Sequence, residues 1–324
     1  MAAPAYHLRT NKAVERLLFL KILRKIIPVG EMADYTYYSF GGPYLDDFRL
    51  IHENFPDMKM VSIERDPDIF KRQQFHQPNR NIELLNNDLH SFLAQYDAGD
   101  KKCVFWLDYT QLEYYQFEEF MLLLSKVSPG SIIKITLMAQ SSNYQNHPND
   151  EHFSNDGSAI DKNQKFRNKF QEVLPSSNVV IPRPQLEFAK LLQSMLRIAS
   201  QKALPSSAGG LFYQPLTSFY YKDGNVGIFT LTGIVCEKAE VSKITESFSK
   251  WKLANLHWKK RPTRIDIPVL STKERLQLQS YLPCAGRDLL KLLGYKIDGT
   301  RSLEQMKQYA EFYTEYPYFI RAVI

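Results

Sequence analysis

The sequence predicts an α/β domain in which a mainly parallel sheet, covered by helices on both faces, ends in an antiparallel pair of strands. Three observations predict it. Between residues 36 and 138, short apolar runs alternate with amphipathic helical stretches; this is the pattern of βαβ units and a parallel sheet. The apolar runs lack a polar alternate face, as expected of strands buried on both sides. Finally, TSFYYKDGNVGIFTLTGIV holds two β-rich runs separated by Asp223, Gly224 and Asn225, a strong hairpin signal.

The elements follow in order. From Asn11 to Ile27, Val14, Leu17, Leu18, Ile22 and Ile26 recur near helical spacing, and Pro28 with Gly30 ends the pattern. Strands are then expected at 36–40, 59–64, 82–85, 103–107 and 131–138. Helices are expected at 46–54, after Asp66 and Pro67, around 91–96, and across 117–125. Residues 141–165 are rich in Asn, Asp, Gln and Ser, which predicts an excursion or lid. A helix is expected over 186–204, with Phe188, Leu191, Leu192, Met195 and Ile198 on one side. Past Glu237 the composition turns helical and more basic, including WKLANLHWKKRPTR at 251–264. The expected organisation is therefore an N-terminal helix over 1–29, an α/β domain over 30–237, and a smaller, mainly helical domain over 238–324.

Bulk properties narrow the function classes. The 324 residues are 44% hydrophobic, enough for a domain of about 200 residues and a companion. Cys103, Cys236 and Cys284 lie far apart, so neither a disulfide framework nor a zinc site is suggested. The opening residues lack a signal-peptide core, and Lys21, Arg24 and Lys25 interrupt the only candidate span, so a cytoplasmic protein without a membrane partner is expected. A net charge of +6 permits an acidic partner without requiring one.

The most specific local feature is YYSFGGPYLDDF at 37–48, where a strand runs through Gly41 and Gly42 into a helix start. Two glycines allow a tight turn and close backbone approach, and exposed helix-start amides attract polar groups. Asp46 and Asp47 would repel a pyrophosphate, whereas they could accept from the amino group of a methionine-like ligand. Glu64 follows the next strand, 23 residues after Gly41, near the ~20-residue interval at which an acid grips ribose hydroxyls. Asp88 lies past the third strand, where it could meet an adenine amino group, cap the following helix, or do both. Asp108 and Tyr109 follow the fourth strand: the carboxylate is a candidate base, Tyr109 offers a stacking face or a phenolic hydrogen bond, and a structural role for Asp108 is equally open. His147, Asp150 and His152 are close together but read as a solvated loop, and no metal is expected. Trp251, Lys252, Trp258, Lys259, Lys260, Arg261 and Arg264 could bind nucleic acid, although a solvated helix face anchored by its tryptophans is the stronger reading.

In order, FGGPYLDDFRLIH, SIERD, NNDL, WLDYT and FTLTGIV resemble the motifs of class I S-adenosylmethionine-dependent methyltransferases, with their Rossmann-like sheet and terminal antiparallel hairpin. More narrowly, the sequence is similar to a group of bacterial proteins labelled O-methyltransferases. The resemblance covers roughly residues 30–237 and implies S-adenosylmethionine as cofactor. It implies that Phe40, Gly41, Gly42, Pro43, Tyr44 and Asp46 form the methionine side of the pocket, that Glu64 with Arg65 holds the ribose, and that Asp88 with Leu89 meets the adenine. Asp108 and Tyr109 would face the methyl group. FGGPY departs from the general GxGxG turn, Pro43 removes one amide donor, and the Asn-Pro-Pro-Tyr-like signature of base-methylating enzymes is lacking. The expectation is methyl transfer to an oxygen or nitrogen nucleophile. The alternatives are a silent relative that senses a nucleotide or scaffolds a complex, for instance in bacterial self-defence, and a nucleic-acid methyltransferase served by 251–264.

Overall fold

In a computed structural model that describes residues 9–145, 161–205 and 210–317, the apolar runs become one eight-stranded sheet of order β3-β2-β1-β4-β5-β7-β6-β8. The strands are β1 (Tyr35–Ser39), β2 (Lys59–Ile63), β3 (Ile82–Leu85), β4 (Lys102–Asp108), β5 (Ile132–Met138), β6 (Leu211–Asp223), β7 (Val226–Glu237) and β8 (Thr263–Ile265). The helices are α1 (Thr10–Ile26), α2 (Asp46–Asn54), α3 (Pro67–His76), α4 (Leu89–Gln95), α5 (Tyr114–Leu124), α6 (Lys162–Phe170), α7 (Gln185–Ala203), α8 (Val241–Ser249), α9 (Thr272–Gln279), α10 (Gly286–Leu293) and α11 (Ser302–Phe312). β1 pairs in parallel with both β2 and β4, while β7 runs antiparallel to β5. The parallel sheet and its antiparallel closure are the predicted arrangement, that of a class I methyltransferase.

The chain divides into two compact units. The first comprises Ile27–Tyr220 and Gly227–Thr263; the second takes the chain up to Ile26, Tyr221–Val226, and the chain from Arg264 on. Residues 238–263 thus group with the sheet, and the lead-in helix α1 groups with the C-terminal helices.

The first unit is built around one apolar layer. Phe105, Leu107, Ile133, Ile135, Phe229 and Leu231 project from the central strands into the same cluster as Phe117, Phe120 and Leu124 of α5 and Leu192 and Met195 of α7. Each fully buried side chain of this size contributes about 1.5–3 kcal/mol, so this layer dominates the stability of the unit. On α2, Phe48 meets Tyr37 of β1 edge-on, with ring centroids 5.2 Å apart.

The second unit is held by polar anchors as well as packing. Arg9 pairs with Asp223 at 2.7 Å, Lys21 with Glu315, and the Tyr316 hydroxyl accepts from Leu270 N at 2.9 Å. α9 begins with a capping box between Ser271 and Glu274. Among the described residues, no helix is long and apolar enough to cross a membrane.

The stretch 251–264 corrects one expectation, because residues 251–262 form irregular turns rather than a helix. Its carbonyls are taken by side chains of the sheet unit. Gln193 Nε2 donates to the carbonyls of Trp258 and Lys260 at 2.8 Å each, and buried Asn255 Nδ2 donates to Ser218 Oγ at 3.0 Å and to Arg261 O at 3.2 Å. Carbonyls committed in this way are unavailable to a helical ladder. The tryptophans do anchor the stretch, Trp258 against Tyr213 and Trp251 against Phe248.

The hairpin is seated by a glycine. Tyr213 of β6 lies over Gly233 of β7 and donates from its hydroxyl to Ile133 O at 2.8 Å. A Cβ at Gly233 would come within 2.5 Å of Tyr213 Cζ and 2.7 Å of the Gln214 carbonyl oxygen, and the backbone atom has little room to yield. Gly233→Ala is therefore expected to cost about 1–3 kcal/mol of stability, measured as a lower denaturation midpoint; an unchanged midpoint would show that the tyrosine moves aside freely.

Candidate active site

Parallel pairing brings the candidate residues to one place. Ser39 registers with Ser62 on β2 and with Trp106 on β4, so the residues that follow β1, β2 and β4 all emerge at the carboxyl edge of the sheet. Strand order reverses between β1 and β4, and open α/β sheets bind ligands at such a switch point. Phe40 and Gly41 leave from one side of that crevice and Asp108 with Tyr109 from the other.

The turn after β1 is an enforced shape. Gly41 and Gly42 have φ of 72° and 55°, in the left-handed region, and Leu45, not a glycine, also sits there at 55°. A Cβ on Gly41 would lie 2.7 Å from both Leu45 Cδ2 and Ser62 Oγ; the position needs glycine for space as well as for angle. Gln73 of α3, wholly buried, donates from Nε2 to the carbonyls of Phe40 and Gly42 at 2.9 Å each, and its Oε1 accepts from Ser62 Oγ at 3.0 Å. The side chain of one glutamine thus holds both ends of the turn. Gln73 was missed in the sequence, where it reads as one more polar residue of an amphipathic helix; its place one helical turn before Gln77 carries no distinguishing signal.

Carbonyls pulled inward leave the turn's other face, with Pro43, Tyr44 and the start of α2, toward the crevice. Leu45 caps α2 without a side-chain hydrogen bond, so the helix-start amides lack a side-chain acceptor from the cap. The two aspartates part company here: Asp47 is buried, while Asp46 is only half-buried. Tyr44 is more exposed and accepts from Arg72 Nη2 at 2.8 Å.

Glu64 sits just past β2 and is buried. Its backbone is tied to the next loop, with N donating to Leu85 O at 2.9 Å and O accepting from Asn86 Nδ2 at 2.7 Å. Its Oε1 accepts from Asp66 N at 2.8 Å. Burial pushes the carboxyl above its ordinary value, against the pull of that hydrogen bond. Arg65 is exposed.

Asp88 caps α4, accepting from Ser91 N at 2.8 Å, and that bond holds its carboxyl below the usual range. The capping reading is therefore realised, and the residue is exposed past the edge strand β3. Leu89 behind it is buried.

At the end of β4, Asp108 is half-buried and registers with Thr136 of β5. Tyr109 is buried, its ring 5.3 Å from Phe40, and its hydroxyl donates to Glu119 Oε2 of α5 at 2.5 Å. The phenol is raised well above its ordinary value, first by burial and then by the Glu119 charge. Its hydroxyl is committed to Glu119. Glu119, a residue that sequence reasoning missed, is likewise raised by burial, with Tyr109, His90, Asp88 and Arg65 as its electrostatic neighbours. Residues 146–160 of the polar excursion, with His147, Asp150 and His152, lie outside the described residues; Ser141–Tyr144 forms a short 3-10 turn and α6 begins at Lys162.

Over residues 4–324 the sequence matches the family described as "putative O-methyltransferase". The chain belongs to this family. No curated protein matches it. Among solved structures, this O-methyltransferase family member is similar to TYW2 of P. horikoshii in complex with MeSAdo, at 13% identity and a TM-score of 0.38, over 69% of this chain and 62% of that one. It is also similar to a probable spermidine synthase from Corynebacterium glutamicum, at 12% identity and 0.41, over 78% and 81%. A third likeness is a putative O-methyltransferase from Klebsiella pneumoniae, at 13% and 0.36, over 69% and 80%. The chain spans less than two thirds of the length of the TYW2 chain.

The raised carboxyl of Glu119 makes a pH prediction. A group whose folded pKa lies above its unfolded one contributes stability that is complete below the ordinary value, near 4.5 for this carboxyl, and is lost as pH rises through the folded value. Glu119→Gln carries no such loss while keeping an acceptor for Tyr109. Melting temperatures at about pH 5 and about pH 8 should show the variant gaining on the parent at the higher pH; a gap that does not change with pH would remove Glu119 from this role.

Proposed function

We propose that the protein transfers the methyl group of S-adenosylmethionine to a hydroxyl oxygen of its substrate. The observation that carries this reading is the convergence of the Gly41–Gly42 turn, Glu64 and Asp108 on the crevice between β1 and β4 in a chain of this family. Bound there, the cofactor supplies an electrophilic methyl on a sulfonium. The residues suit a cation with a ribose: Glu64, whose carboxylate is held by the Asp66 backbone amide, is an acceptor for vicinal hydroxyls, and Asp46 stands at the helix start where an ammonium group would sit. In this reading Arg65 lies beside the ribose, Asp88 with Leu89 borders the adenine, and Phe40, Pro43 and Tyr44 wall the methionine side.

For the chemistry the protein must hold a nucleophile in line behind the methyl and remove its proton. Asp108 is the proposed base, since it ends the strand beyond the ribose and adenine edges and its carboxylate is half-buried. Tyr109, its hydroxyl engaged by Glu119, contributes a packing face together with Phe40. Where the nucleophile is a nitrogen already lacking a proton, the same alignment serves without the base. Nucleic acid carried by 251–264 is the weaker reading, because three of its cations are already engaged: Lys260 with Ala254 O, Arg261 with Glu187 and Arg264 with Asp266.

Two outcomes test the assignment. Titration calorimetry should show S-adenosylmethionine or its demethylated product binding, with Glu64→Ala weakening it by about 1–3 kcal/mol; absence of binding at millimolar ligand would refute the cofactor. Asp108→Asn should lower methyl transfer by ~100-fold or more with cofactor affinity within a few-fold. Equal loss of both would make Asp108 structural.

A further inference from the structure

At the opposite, amino edge of the sheet, a cavity of about 580 Å³ opens between the starts of β1, β2 and β4 and the loop before β3. Its rim carries Lys59, Arg80, Lys101 and Lys102, against which stand only Glu83 and Asp97. Lys102 is accounted for, since its Nζ meets Glu31 at 3.2 Å and lies over the Tyr35 ring. The ends of Lys59, Arg80 and Lys101 are exposed and meet no acceptor or carboxylate among the described residues. Of the two acids, Asp97 is already accepting from Gly99 N at 3.0 Å. Cations gathered without partners repel one another, and an arrangement that keeps three of them around one concave surface is relieved by a bound anion.

The wall of the cavity is preformed. Tyr38 stacks flat on Phe105, centroids 4.4 Å apart and planes 9° apart, and Tyr96 stands edge-on to both rings. Both tyrosines line the cavity. Burial pushes both phenols above their ordinary value, so each keeps its proton; that of Tyr96 is shared between the buried Cys103 and Tyr38, which leaves the Tyr38 hydroxyl to donate. A phenolic donor in a cavity rimmed by ammonium and guanidinium groups suits tetrahedral oxyanions of more than one negative charge. The volume falls within the range of small-molecule sites.

We propose that this cavity binds a phosphate-bearing small molecule, a phosphomonoester or diphosphate, at a site separate from the carboxyl-edge crevice. Lys59, Arg80 and Lys101 neutralise the phosphate, the Tyr38 hydroxyl donates to its oxygens, and Tyr96 holds that hydroxyl in place. The binding stands whether or not the methyl-transfer reading holds, since none of its residues belongs to that crevice.

Inorganic pyrophosphate and ADP are the probes, titrated calorimetrically into the full chain and into Arg80→Gln, Lys101→Gln and Tyr38→Phe. Both probes should bind more tightly than about 1 mM, with about tenfold weaker binding in each cation variant and a smaller loss in Tyr38→Phe. Tighter binding of ADP than of pyrophosphate would mean that the cavity also takes the nucleoside; equal affinity would assign it to the phosphates alone. Arg80 and Lys101 are exposed, so their variants keep the fold, and an unchanged melting temperature verifies it. Three results would overturn the proposal: no binding of either probe at millimolar concentration, binding unaffected by Arg80→Gln and Lys101→Gln, or loss in the cation variants with none in Tyr38→Phe, which would put the anion on the open surface.

Discussion

Parallel pairing of β1 with both β2 and β4 is the constraint on which the rest depends. A parallel sheet sends every strand's carboxyl end to the same edge, so four loops distant in sequence must share one space. The register makes this specific, because Ser39 lies level with Ser62 and with Trp106. Slipping β1 by one residue would turn Tyr37 away from Phe48 and carry the Gly41 turn out of reach of Ser62 and Gln73. The apolar layer of Phe105, Ile133 and Leu231 resists such a slip, so core packing indirectly aims the crevice residues.

Gln73 shows how that aim is refined. A turn with three left-handed positions, Gly41, Gly42 and Leu45, exposes carbonyls that no ladder can satisfy, and unsatisfied buried carbonyls are costly. One buried amide answers two of them and is itself oriented by Ser62. The turn is consequently tied to α3 and β2 as well as to β1, which makes its shape a property of three elements.

What the sequence made legible follows from which signals are local. Strand and helix order, the hairpin around Gly224, and the grouping of Gly41, Glu64, Asp88 and Asp108 at one edge could be read because alternation, turn residues and strand ends are all written within a few positions. Gln73 and Glu119 could not, since each is a polar residue on an ordinary amphipathic helix whose importance comes from a partner 31–33 or 10 residues away. The basic stretch at 251–264 misled for the same reason: its helical composition is local, whereas Gln193, which claims two of its carbonyls, and Ser218, which accepts from its Asn255, come from other parts of the fold. Tyr109 was legible in place but not in role, because only the structure brings Glu119 to its hydroxyl.

The two edges of the sheet differ in charge, and helix polarity explains half of the difference. Helices α2, α3 and α4 start at the carboxyl edge, where their positive ends favour acids. Asp66 and Asp88 serve that purpose directly, Asp66 accepting from Asp68 N and Ile69 N and Asp88 from Ser91 N. Glu64 and Asp108 cap no helix: Glu64 follows β2, with its Oε1 on the amide of the α3 cap residue Asp66, and Asp108 ends β4. Subtracting the caps therefore leaves one carboxylate on each side of the β1–β4 crevice, where the proposed cationic cofactor would give both a partner. At the amino edge the dipoles leave partial negative charge, which attracts lysine and arginine to helix C-termini; Lys59 and Lys101 precede or begin strands instead, and helix ends do not account for them. The same subtraction thus leaves charge of opposite sign at the two edges that no helix end claims, and a modest net charge of +6 conceals both.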